Sequence, residues 1–155
     1  MSAYLDAGVL LGLLDARDQM HQRTLELFAK LHSDRLSPLC PYWAALELHA
    51  ILQRRKFIKA VRAHQVLERL VTTYPTIMPA PEDGTRAREL LARFPDQKIS
   101  LTDATIASMS LRARAPVLTP DRRHSGLMGA RVYDCRAEAI FSRRSRLRLE
   151  GALVS

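Results

Sequence analysis

Four acidic residues lie far apart in the chain, at places where they could do chemistry together. Asp6 closes the apolar pair Tyr4-Leu5, and Asp121 follows Val117-Leu118-Thr119-Pro120. Asp103 comes directly after Ser100-Leu101-Thr102, and Glu47 lies inside the apolar stretch Tyr42-Trp43-Ala44-Ala45-Leu46-Glu47-Leu48. A carboxylate rarely sits among apolar neighbours unless something pairs with it. Several carboxylates drawn within about 5 Å of one another cannot all stay ionised without a counter-charge. A hard divalent cation supplies one, and an all-oxygen donor set selects Mg²⁺ or Mn²⁺ over zinc. Such an ion activates water and stabilises the attacking and leaving oxygens of a phosphodiester. Singly, each acid has an ordinary reading. Asp6 is a helix cap, Asp103 a first-turn acid, Asp121 a turn residue, and Glu47 the surface partner of Arg54 or Arg55. Two acids at strand ends make the joint reading the stronger one.

The charge balance complements an acidic centre. Lys and Arg number 24 against 16 Asp and Glu, a net charge of +8. The excess is concentrated late, where the arginines from Arg112 to Arg148 face only Asp121, Asp134 and Glu138. A basic surface on a small chain favours a polyanionic partner whose backbone it can neutralise. The plainer alternative is a solvated face that keeps the protein in solution.

These residues need a scaffold. The chain has 155 residues, 47% of them hydrophobic, and folding at that length buries roughly 68–70% of the unfolded surface. One domain over 1–155 is expected, with 136–155 as a basic tail that could add an edge strand. The early apolar run Ala7 to Leu14 is too short for a bilayer, which takes about 20 residues. No basic segment precedes it, so a secretory signal is not expected and the cytoplasm is. Cys40 and Cys135 form no CxxC pair and read as reduced, buried thiols.

Short apolar runs alternate with helical patterns, which predicts an α/β fold with a mainly parallel sheet. Strands are expected at Ser2 to Leu5, Leu36 to Leu39, Thr76 to Ala80 and Pro116 to Thr119. A first helix carries Val9, Leu10, Leu13 and Leu14. Asp18 is the expected N-cap of a helix to about His32 with Leu25, Phe28 and Leu31 on its apolar face. Pro41 opens a helix through Arg55. Further helices are predicted over Phe57 to Tyr74, Glu82 to Phe94, and from a Ser100 or Thr102 cap to Arg114. Trp43 is expected in the core or a dimer face, and His21 in a bond to nearby backbone.

Taken in order, these motifs resemble the PIN-domain ribonucleases, specifically the VapC toxins. Tyr4-Leu5-Asp6-Ala7-Gly8-Val9-Leu10 is similar to that family's opening strand, first acid and first helix. Leu46-Glu47-Leu48 resembles the second acid, Leu101-Thr102-Asp103-Ala104 the third, and Val117-Leu118-Thr119-Pro120-Asp121 the fourth. The resemblance covers residues 3 to 133 and implies a three-layer α/β/α sandwich. It also implies Mg²⁺- or Mn²⁺-dependent endoribonuclease activity, a homodimer and a cognate antitoxin. RNA as substrate comes from the resemblance alone. Where the family usually carries Ser or Thr two residues after the first acid, this chain has Gly8; Thr119, Thr102 or Ser100 would supply the hydroxyl. After the fourth acid it reads Arg122-Arg123-His124, a candidate RNA contact.

Two other readings compete. One is a nuclease-derived RNA-binding protein with little turnover, favoured by Gly8 and the arginines beside Asp121. The other is a phosphatase-like hydrolase using one aspartate as nucleophile. It is disfavoured because Gly8 replaces the second acid of a DxD motif and no lysine lies near Asp103 or Asp121.

Overall fold

In the structure, a computed structural model, residues 1–55, 58–120 and 122–133 are described. Asp121, Cys135 and the tail from 136 lie outside the described residues. The elements run β1 (Ser2–Leu5), α1 (Ala7–Leu14), α2 (His21–Ser33), β2 (Ser37–Pro41), α3 (Tyr42–Arg54), α4 (Ala60–Thr73), β3 (Thr76–Ile77), α5 (Pro81–Arg93), α6 (Leu101–Ala113), β4 (Val117–Leu118), α7 (Arg122–Leu127) and β5 (Val132–Tyr133).

The five strands form one sheet in the order β3-β2-β1-β4-β5, and every pairing is parallel. The register sets Ala3 against Pro38, Leu5 against Leu118, and Leu118 against Tyr133. The chain therefore winds outward from β1 to β3, then returns across the sheet to β4 on the other side of β1. Parallel crossovers are nearly always right-handed, so the two directions of winding send their helices to opposite faces. The gap between β1 and β4 is where the winding reverses. In open parallel sheets ligands bind in that crevice, beyond the carboxyl ends of the strands.

The core is aliphatic. Ala3, Leu5, Val9, Leu10, Leu27, Cys40, Leu48, Ile106, Met109, Val117 and Leu118 are all essentially buried. A short strand covered on both faces needs such an unbroken apolar run, as Ala3-Tyr4-Leu5 provides.

Several sequence expectations shift. Asp18 is not the cap of α2. The N-cap is Met20, and Asp18 Oδ1 accepts the Met20 N–H at 2.8 Å, an Asx-type turn one step earlier. The buried face of α2 is Thr24, Leu27 and Leu31, with Leu25 40% exposed. The helix is rotated because Thr24 packs against Gly12 of α1. Pro41 ends β2 and caps α3 rather than opening it. The third strand is only Thr76–Ile77, since Pro79 and Pro81 cannot donate to a ladder. Helix α4 begins at Ala60 rather than near Phe57, which lies outside the described residues. The helix α7 and the strand β5, which sequence reading did not anticipate, occupy residues before the tail.

Candidate active site

Asp6 follows β1 without a spacer and caps α1: its Oδ1 accepts the Val9 N–H at 2.6 Å. Its own N–H donates to the Leu118 carbonyl at 3.3 Å. The residue is thus pinned at the carboxyl end of β1, against β4. From β4, the Thr119 hydroxyl donates to the Asp6 carboxylate. Thr119 is 2% exposed, so water does not compete for that bond.

Asp103 arrives by another route. A crossover helix runs antiparallel to the strand it precedes, so the start of α6 stands at the carboxyl edge beside the end of β4. Ser100 caps α6, its Oγ accepting the Asp103 N–H at 3.0 Å, and Asp103 Oδ2 accepts the Ser100 N–H at 3.2 Å. This reciprocal capping box fixes the Asp103 side chain and places its charge at the positive end of the helix dipole. Of the two caps expected for this helix, Ser100 does the capping. Thr102 is half-buried in the first turn.

Glu47 sits in the second turn of α3, which leaves the carboxyl end of β2 directly. The neighbouring Ala44, Ala45 and Leu48 are buried. The arginines that could have paired with Glu47 act elsewhere. Arg55 binds Asp15 and lies 3.7 Å from Asp18, and Arg54 Nε donates to the Ala50 carbonyl at 3.1 Å. Glu47 Oε2 is buried without a hydrogen-bond partner among the described residues. An oxygen in that state costs stability unless a ligand occupies it.

The electrostatics tie the three acids together. Burial pushes the Asp6 carboxyl up to about 7, the charges of Asp103 and Glu47 push the same way, and hydrogen bonds from Thr119 and the Val9 N–H oppose them. Asp6, Glu47 and Asp103 therefore share one electrostatic environment, gathered from three crossovers at the switch point. A carboxyl raised first by burial and further by two neighbouring acids marks a place that a cation would suit. An all-oxygen set with one orphaned oxygen and one proton-holding carboxyl fits a hard divalent cation. Among the described residues no three Asp, Glu, His or Cys side chains form a set able to hold an ion unaided.

Of the remaining sequence candidates, Asp121 lies outside the described residues. Arg122, Arg123 and His124 open α7 just past the end of β4, with Arg123 exposed and His124 half-buried. His21 Nδ1 lies 2.7 Å from the Gly12 carbonyl, a backbone tie away from the acids. Sequence reading did not single out Asp83, which is 1% exposed and bonded to Ser108 and Arg112. Its place in a first turn next to Glu82 concealed it.

The PIN domain family model matches residues 3–127. Among solved structures, the chain is similar to the Mycobacterium tuberculosis VapC20, described as a sarcin-ricin loop cleaving toxin. That likeness has a TM-score of 0.67 and 20% identity over 81% of this chain and 94% of that one. It is similar to VapBC2 of Rickettsia felis, solved with a DNA fragment from its promoter, with a TM-score of 0.64 and 16% identity over 86% of this chain and 98% of that one. FitAcB of Neisseria gonorrhoeae gives a TM-score of 0.64 and 14% identity over 85% of this chain and 96% of that one. At such identities the likeness is one of fold. No curated protein matches the chain in sequence.

Proposed function

The chain belongs to the PIN domain family, and from that premise we propose that it is a Mg²⁺- or Mn²⁺-dependent endoribonuclease, the toxin of a toxin–antitoxin pair. The observation that carries this reading is the shared environment of Asp6, Glu47 and Asp103, in which Asp6 titrates only near neutrality. The solved structure of the same fold that is described as a toxin supports the biological role. In the same proposal the partner is a cognate antitoxin, the working form a homodimer and the site of action the cytoplasm.

Asp6, Glu47 and Asp103 would hold the ion, with Asp121 as a fourth acid. When bound, the ion supplies positive charge that stabilises the phosphoryl group and makes water easier to deprotonate. The protein's own groups do the positioning. The Val9 N–H and the Thr119 hydroxyl hold Asp6, and the Ser100 N–H holds one oxygen of Asp103, leaving Oδ1 for the ligand. Glu47 contributes an oxygen that no other group among the described residues engages. Arg123, on the helix that leaves the same edge, would meet the backbone phosphates, with Arg122 and His124 beside it in sequence. The orientation of substrate against fixed oxygens is the main catalytic contribution of such a site.

The test uses purified chain, labelled RNA and Mg²⁺ or Mn²⁺. Cleavage that disappears with chelator and in Asp103→Asn supports the proposal; equal cleavage by Asp103→Asn and the native chain would overturn it. Salt-sensitive RNA binding without any metal-dependent cleavage would identify a binding protein built on a nuclease fold.

A further inference from the structure

His49 lies on α3 and His64 on α4, and their rings meet across the helix pair. His49 Nε2 is 2.8 Å from His64 Nδ1, the ring centroids are 4.9 Å apart, and the planes differ by 22°. His49 is half-buried and His64 exposed. His49 stands two residues after Glu47. At about 100° per residue, that places them roughly 200° apart around α3. The pair therefore faces away from the carboxylates.

We propose that His49 and His64 form a second, separate metal site, one for a borderline divalent transition ion such as Zn²⁺, Ni²⁺ or Cu²⁺. Imidazole nitrogen suits these ions, whereas carboxylate oxygen suits Mg²⁺ and Mn²⁺. The two faces of α3 thus carry donors of opposite preference. Two nitrogens bound to one zinc at about 2.0–2.1 Å, with a tetrahedral angle, stand roughly 3.3 Å apart. The present separation must open by about half an ångström, and the rings must turn until both lone pairs converge. That is a side-chain adjustment which exposed His64 can make without moving either helix. Water completes the coordination, and Glu68, one turn beyond His64 on the same helical face and exposed, is placed to hydrogen-bond it. The competing role is a plain imidazole–imidazole hydrogen bond tying α3 to α4. Exposed bonds of that kind contribute little to stability. A bound ion would cross-link α3, the helix that carries Glu47, to α4.

The experiment is calorimetric titration of the tag-free, metal-free full chain with zinc chloride, repeated on His64→Ala, His49→Gln and Asp103→Asn. The expected result is one saturable zinc event that survives in Asp103→Asn and weakens roughly tenfold or more in each histidine variant. Substoichiometric Cu²⁺ should give an electron paramagnetic resonance spectrum with coupling to two imidazole nitrogens. A zinc event of unchanged affinity in His64→Ala overturns the proposal, as does the absence of any saturable binding. Loss in Asp103→Asn alone would also overturn it, by assigning the zinc to the carboxylates. Because Asp103→Asn separates the two sites, this result does not depend on whether the chain cleaves RNA.

Discussion

The Thr119 hydroxyl, at the end of β4, donates a hydrogen bond to the Asp6 carboxylate, at the end of β1. One bond thus joins two neighbouring strands at the point where the sheet changes its direction of winding. Thr119→Val keeps the shape and removes the donor, so the fold should survive while Asp6 loses its restraint. The expected outcome is a cleavage rate lower by about 10- to 100-fold, with Thr119→Ser close to native. A Cβ placed at Gly8 would stand 3.5 Å from Asp6 Oδ1 and 3.5 Å from Pro120 Cγ, ordinary contact distances. Gly8→Ser should therefore fit and restore part of the rate in the Thr119→Val background. Single-turnover kinetics on the four proteins decides this, and an undiminished rate in Thr119→Val would count against the bond's importance.

Asp6 and Asp83 give the fold opposite responses to pH. Burial, reinforced by Asp103 and Glu47, raises Asp6 to about 7. The native state then holds a proton that the unfolded chain has released. Stability falls as pH rises from the ordinary carboxylate range through about 7. Melting of the metal-free protein between about pH 5 and pH 8 should show this decline, and Asp6→Asn should flatten it. A divalent ion must displace the same proton, so Mn²⁺ affinity should rise with pH across that window, with proton release detectable in weakly buffered titrations. A pH-independent affinity would remove Asp6 from the ligand set. Burial also works to raise Asp83, but hydrogen bonds from Arg112, the Ala80 N–H and Ser108 outweigh it and hold that carboxyl below its usual range. Its contribution is present above the ordinary carboxylate pKa and is lost on further acidification.

The Arg112 guanidinium reaches Asp83 with Nη2 at 2.7 Å and Nε at 3.1 Å and 3.2 Å, joining α6 to the first turn of α5. Asp83 is 1% exposed whereas Arg112 is about half exposed. Removing the arginine strands a buried carboxylate. Arg112→Ala should cost on the order of 3 kcal/mol, and Arg112→Lys should recover only part, because a lysine cannot reproduce the two-pronged contact. Urea unfolding of the two variants tests this, and a loss below the error of the fit would refute it.

Gly12 is held to its side-chain size by Thr24. A Cβ there would come within 2.4 Å of Thr24 Oγ1 and 3.2 Å of Thr24 Cβ, and Thr24 is fully buried with its hydroxyl unpartnered among the described residues. Alanine favours a helix interior over glycine by up to about 1 kcal/mol, but overpacking costs about 1–3 kcal/mol. Gly12→Ala should therefore destabilise, and Thr24→Ala should relieve most of that loss. A double-mutant cycle by thermal unfolding measures the coupling. Additive effects would show that the close approach does not control the site.

Much of the framework was legible because β1, β2 and β4 contain short apolar runs and the longer helices show apolar patterns of helical spacing. Glu47 stood out as an acid in apolar surroundings, Asp6 by its place at a strand end and Asp103 by its place in the first turn of a helix. What the sequence concealed depends on other chains of contact. Leu25 and Leu27 are equally apolar, and only Thr24 resting on Gly12 turns Leu27 inward. Nothing local separates Asp83 from Glu82, because burial of Asp83 is set by Arg112, far along the chain. The strand β5 escaped notice because two residues, Val132 and Tyr133, carry no period. The His49–His64 approach arises from how α3 packs on α4.

The position of β1 between β2 and β4 has a consequence for synthesis. A chain leaving the ribosome presents Asp6 first of the three acids, then Glu47, then Asp103. The wall that holds Asp6 in place is supplied by Leu118 and Thr119. Until that segment has emerged and paired with β1, the site has no second side. Before that point the carboxylates are separate groups, and translation must pass Thr119 before the site can assemble.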